Sequence, residues 1–105
     1  ARMHMSIKGP KDYSPEATKG AVVVIGLAKE TKRQQMIDFL ARVGSLKVFA
    51  WPLFNSVKND FFAVCKYESN EETDRATREL TGRRVDGKRA FVTRAQYWMK
   101  HYDYR

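Results

Sequence analysis

The order of its periodic segments constrains this chain most. Between residues 21 and 95, four short runs rich in β-branched and aromatic residues alternate with two runs of helical spacing. Ala21 to Leu27 (AVVVIGL) has strand chemistry. From Lys29 to Gly44 the apolar residues Met36, Ile37, Phe39, Leu40 and Val43 follow the spacing of one helix face, and Gly44 sits where a helix would stop. Ser45 to Trp51 is a second strand that Pro52 is expected to end, and Asp60 to Tyr67 (DFFAVCKY) is a third. Ser69, followed three residues later by Glu72, is a capping box opening a second helix to Leu80, with a thin apolar face of Thr73, Ala76, Thr77 and Leu80. Gly82 ends it, Asp86-Gly87 signals a turn, and Ala90 to Ala95 is the fourth strand. The order β-α-β-β-α-β implies an α+β, ferredoxin-like fold: a four-stranded antiparallel sheet with both helices on one face. The other face is then free for function.

The chain has 105 residues, enough for one small domain. Residues 1–20 lack periodicity and are read as a leader, with Ala1 to Met5 as a cloning remnant. Residues 21–95 are the domain, and 96–105 (QYWMKHYDYR) an aromatic and basic extension. No apolar run approaches the roughly 18 residues of a membrane helix. The single cysteine, Cys65, cannot make an internal disulfide and reads as a core residue, so an intracellular location is expected, with no compartment singled out. Twenty Lys and Arg against twelve Asp and Glu give a net charge of +8, which favours a polyanionic partner. The charge is uneven. Arg83, Arg84, Lys88, Arg89, Arg94, Lys100 and Arg105 crowd the C-terminal end, while Glu68, Glu71, Glu72, Asp74 and Glu79 crowd the second helix.

With one Cys and two His, His4 and His101, at the ends, there is no zinc set. There is no Walker loop, dinucleotide fingerprint or catalytic constellation. The chain therefore reads as a non-enzyme without cofactor or metal.

The spacing resembles the RNA recognition motif (RRM) family over about residues 21–95. Val22 to Leu27 falls on the family's first-strand hexamer, and Met36, Phe39, Leu40, Val43 and Gly44 on its first helix. Asp60 to Tyr67 falls on its third-strand octamer. The resemblance implies RNA stacking on aromatic rings at three sheet positions. Here Phe62 keeps one, while Val64 and Val23 replace the other two. Asp60 and Phe61 also stand where the octamer usually begins with a basic residue and glycine.

Strand alternation suggests where replacement rings lie. If Ala63, Cys65 and Tyr67 face the helices, Phe62, Val64 and Lys66 face out. Val22 and Val24 then point in, Val23 and Ile25 out. On the last strand Ala90 and Val92 point in, Phe91 and Thr93 out. If Leu46, Val48 and Ala50 face the core, Lys47, Phe49 and Trp51 face out; a one-residue slip inverts that set. Single-stranded RNA is accordingly expected on Phe62, Phe91, Phe49, Trp51, Val23, Val64, Lys47 and Lys66. Arg83, Arg84, Lys88, Arg89 and Arg94, with Lys58, are expected at the rim. Lys29, Lys32 and Arg33 read mainly as a solvated face. The tail aromatics Tyr97, Trp98, Tyr102 and Tyr104 leave three readings open: packing over the sheet, extending the RNA surface, or docking a partner.

Two alternatives stand beside RNA binding. Acylphosphatase-like enzymes share the fold, but their phosphate-binding arginine has no counterpart in Ala28-Lys29-Glu30. A protein-interaction RRM carries Arg-x-Phe after the second helix, where this chain has Arg83-Arg84-Val85. Arg89-Ala90-Phe91 falls out of register for that role. A protein partner, or self-association through exposed rings or a free strand edge, remains the main alternative.

Overall fold

The computed structural model describes residues 19–55 and 59–95. The elements are β1 (Ala21–Ile25), α1 (Arg33–Leu40), β2 (Leu46–Asn55), β3 (Asp60–Tyr67), α2 (Asn70–Glu79), β4 (Arg84–Val85), β5 (Lys88–Arg89) and β6 (Phe91–Arg94). Four strands form one sheet in the order β2-β3-β1-β6, every neighbour antiparallel. β4 and β5 form a separate hairpin. The expected α+β architecture is present, with the hairpin as an addition. Asp86 and Gly87 form its turn with φ of 51° and 81°, the paired positive values a tight two-residue hairpin requires. Residues 1–18 of the leader, Lys58 and the C-terminal extension lie outside the described residues.

Local chemistry explains the helix limits. Ser69 accepts from the Glu72 amide, and the Glu72 carboxylate accepts from the Ser69 amide, closing the expected capping box. α1 starts later than the periodicity suggests, at Arg33, where the Gln35 side chain accepts from the Lys32 amide.

The main core lies between the sheet and the helices. It joins Val22, Val24, Met36, Phe39, Leu40, Ala63, Cys65, Tyr67, Ala76, Leu80 and Val92. Alternation on β1, β3 and β6 therefore runs as expected. Tyr67 reaches across the core, and its hydroxyl donates to the Leu40 carbonyl at 2.6 Å. Burial pushes both the Tyr67 phenol and the neighbouring Cys65 thiol above their ordinary pKa ranges.

That thiol gives a direct check. A disulfide reagent at mildly alkaline pH should label Cys65 only as fast as the domain opens, with full labelling in denaturant. The sign of the linkage follows. The unfolded thiol ionises near its ordinary value, about 8.5, while the folded thiol stays protonated. Its contribution to stability is complete below that pH and is lost as pH climbs towards the elevated folded value.

β2 departs from the sequence reading. It pairs Leu46 with Tyr67 but Val48 with Lys66, so Lys47 is an extra residue, a bulge that reverses the alternation. Phe49 then sits opposite Cys65 and, with Trp51, faces the helices. The expected outward orientation of Phe49 and Trp51 is corrected: both are buried in the core, Trp51 being 8% exposed. Trp51 Nε1 donates to the Thr31 carbonyl at 2.7 Å, and the Arg33 guanidinium lies 5.0 Å from the Phe49 ring centre. The reason is volume. α2 contributes only Thr73 and Ala76 to the buried layer, with Leu80 at its C-cap, so large rings from the edge strand help fill the space beside the helices. Pro52 does not end β2. A second irregularity between Ala50 and Leu53 carries the strand on to Asn55, and on an edge strand a missing amide is tolerated.

Candidate nucleic-acid interface

The sheet face away from the helices can be laid out from the pairings. One row runs Ala50, Val64, Val23, Thr93 across β2, β3, β1 and β6. On one side of it lie Val48, Lys66 and Ala21. On the other, Leu53 pairs with Phe62 and Ile25 with Phe91. The sheet thus brings Val23, Val64, Phe62, Phe91 and Lys66 onto one face, as alternation implies. Phe49 and Trp51 are absent from it.

Burial across this face is uneven. Val23, Phe62 and Val64 have essentially no exposed surface, and they form a second apolar cluster with Ala21 and Ala95, flanked by Ile25 and Leu53. Phe62, the ring that matches a stacking position, is 0% exposed. At the β6 edge, Phe91 is 49% exposed. Lys66 is half-buried and Lys47 exposed on its bulge.

The hairpin supplies the charge. Arg83, Arg84, Lys88 and Arg89 are all exposed. Arg84 pairs directly with Arg89 across the two strands, a like-charge juxtaposition that weakens the hairpin unless an anion lies between them. Each arginine is steadied by one backbone carbonyl: Arg83 Nε donates to Glu79 at 2.7 Å, an Arg84 terminal nitrogen to Gly87 at 3.1 Å, and one of Arg89 to Gly82 at 2.7 Å. A guanidinium has five N–H donors, so each keeps capacity for a phosphate oxygen. The chain leaves this hairpin into β6 with only Ala90 between Arg89 and Phe91, which places the basic loop beside the exposed ring.

Arg94 belongs elsewhere. It shares the inward side of β6 with Val92 and forms an ion pair with Asp74 of α2, so it is removed from the candidate surface. The acidic second helix claims it. On the helix side, a groove lined by Gln35, Asp38, Phe39, Arg42, Arg84, Val85 and Asp86 carries both signs of charge and does not select a polyanion.

One exposed ring escapes the sequence reading. Phe54, 45% exposed, lies opposite Phe61 with ring centres 5.1 Å apart in a tilted pair. It is missed because Pro52 is taken as the end of β2. The usable signal is the pair of aromatics flanking the loop between β2 and β3, since cross-strand rings of this kind favour pairing.

Comparison with known proteins agrees with the geometry. The family model for the RNA recognition motif matches residues 22–90. Among solved structures, the third RRM domain of Mip6 superposes with a TM-score of 0.64 at 17% identity, covering 72% of this chain and 93% of that one. The third RRM of Pes4 gives 0.61 at 23% identity, with 71% and 89% covered. The Rna15 RRM with bound RNA (GU) gives 0.59 at 16% identity, with 71% and 81% covered. A search of curated proteins finds no match. The match over most of the domain, together with the β2-β3-β1-β6 sheet, identifies the chain as a member of the RNA recognition motif family.

Proposed function

We propose that this domain binds single-stranded RNA along the β6 edge of its sheet, as one module of a larger RNA-processing protein. Phe91 offers the stacking ring, and Arg83, Arg84, Lys88 and Arg89 hold phosphates. The observation that carries the reading is the half-exposed Phe91 directly after a hairpin of four exposed cations, two of them cross-strand partners. Such a pairing of like charges is relieved by a bound anion, and a neighbouring ring suits an unpaired base. Family membership and the likeness to the RNA-bound Rna15 domain support it. Lys66 and Lys47 extend the positive rim beyond the hairpin.

Fluorescence anisotropy with short single-stranded RNA at several salt concentrations tests this. Arg84→Ala, Lys88→Ala and Arg89→Ala should each weaken binding and reduce the slope of log affinity against log salt by about 0.7 per lost contact. Phe91→Ala should cost about 1–3 kcal/mol of binding. If the triple hairpin variant binds with unchanged affinity and slope, the assignment is wrong.

A further inference from the structure

Gly26 follows the last residue of β1, Ile25, which pairs with Phe91 across the sheet. Its φ is 85°, in the left-handed region. A Cβ placed on it would lie 2.8 Å from the Arg89 carbonyl oxygen and 4.0 Å from the carbonyl carbon. Real Cβ atoms do not come that close, and the obstacle is backbone, so no change of rotamer relieves it. The other glycines with positive φ differ. A Cβ on Gly20 would make only an ordinary contact, 3.5 Å from the Asn70 side chain, and one on Gly82 or Gly87 would meet nothing within 4 Å. Gly26 therefore does two things: it adopts the turn, and it lets two backbone segments touch.

The segment it touches is the exit of the basic hairpin. On the other side that exit is tied to the residues after α2. The Ala90 amide donates to the Arg83 carbonyl and the Gly82 amide to the Ala90 carbonyl, each at 2.8 Å. The Arg89 guanidinium donates to the Gly82 carbonyl, and the Thr81 hydroxyl donates to the Val92 carbonyl while accepting from the Val92 amide. The exit is thus held between hydrogen bonds on one side and the bare Cα of Gly26 on the other.

We propose that Gly26 is a positioning residue of the RNA interface. Its missing side chain fixes the spacing between the Arg89 guanidinium, which takes a phosphate, and the Phe91 ring, which takes the neighbouring base. This rests on the RNA reading of the hairpin. With a side chain at position 26, the gap to the Arg89 carbonyl must open from 2.8 Å to 3.4 Å or more. That displacement runs directly into Ala90 and Phe91, and it exceeds the roughly 0.5 Å within which a multi-contact site holds its geometry.

Full-length variants Gly26→Ala, Gly26→Asn and Gly20→Ala test this with short single-stranded RNA of random sequence, by anisotropy across a salt series. Asparagine tolerates positive φ better than alanine but still carries a Cβ, so it keeps the clash while easing the backbone cost. Gly20→Ala carries the backbone cost without the clash. Both Gly26 variants should weaken binding about tenfold and lower the salt slope by about 0.7, the loss of one phosphate contact. Gly20→Ala should change neither. The Ala90 amide should lose hydrogen-exchange protection in both Gly26 variants and keep it in Gly20→Ala. In an Arg89→Ala background the cost of Gly26→Ala should shrink to about threefold or less, because the misplaced cation is gone. Wild-type affinity in Gly26→Asn, an equal loss in Gly20→Ala, a fully additive double variant, or failure of both Gly26 variants to fold would overturn the positioning role. If Arg84→Ala still weakens binding in those cases, the RNA reading stands; if the wild-type chain binds no RNA, both fall.

Discussion

Trp51→Ala should lower the free energy of unfolding by about 3–5 kcal/mol in a denaturant titration, the range for deleting a large buried ring. The indole is buried among the core residues and donates to the Thr31 carbonyl. Trp51→Phe separates the two contributions. It keeps most of the apolar volume and removes the donor, so its cost should be about 1–3 kcal/mol, that of an unpaired buried acceptor. A Trp51 on the open face would give the opposite pattern: a change within about 0.5 kcal/mol in stability and a loss of RNA affinity. Stability and binding measured on the same variant therefore decide which side of the sheet the ring occupies.

Phe62→Ala carries the second large effect. At a stacking position of an open sheet this substitution removes a binding contact and leaves the fold nearly intact. Here the ring is wholly buried in a cluster with Val23 and Val64, so alanine should cost about 3–5 kcal/mol of stability. Phe91→Ala is the natural contrast. Its ring is half exposed, so the change should stay small in stability and show in binding. Equal stability losses for the two variants would mean that Phe91 is as enclosed as Phe62.

Much of the fold is legible in residue order. β-branched runs, the Ser69–Glu72 box and the Asp86-Gly87 turn each specify a local structure, and alternation then assigns the faces of β1, β3 and β6. β2 is different because its bulge at Lys47 has no signature in an isolated strand. It becomes visible only in the pairing with β3, where the core takes in Phe49 and Trp51. Arg94 is similar. Its charge suggested a rim contact, and the acidic helix that folds against β6 took it. The basic hairpin is the part of the candidate site read most directly, because consecutive exposed cations around a tight turn need no long-range information. The burial of Val23, Phe62 and Val64 could not be read from the strands, because alternation gives the face a side chain points to and not its exposure.

The most direct measurement is an NMR titration of the full chain with short single-stranded RNA at two salt concentrations, followed residue by residue. The account predicts that Arg83, Arg84, Lys88, Arg89 and Phe91 shift first, and that the shifts weaken as salt rises. Resonances of Val23, Phe62 and Val64 should respond only at higher RNA concentration, if at all. Early shifts at Val23, Phe62 and Val64 with a silent hairpin would contradict the β6-edge site, and no shifts at low salt with any RNA would contradict RNA binding itself.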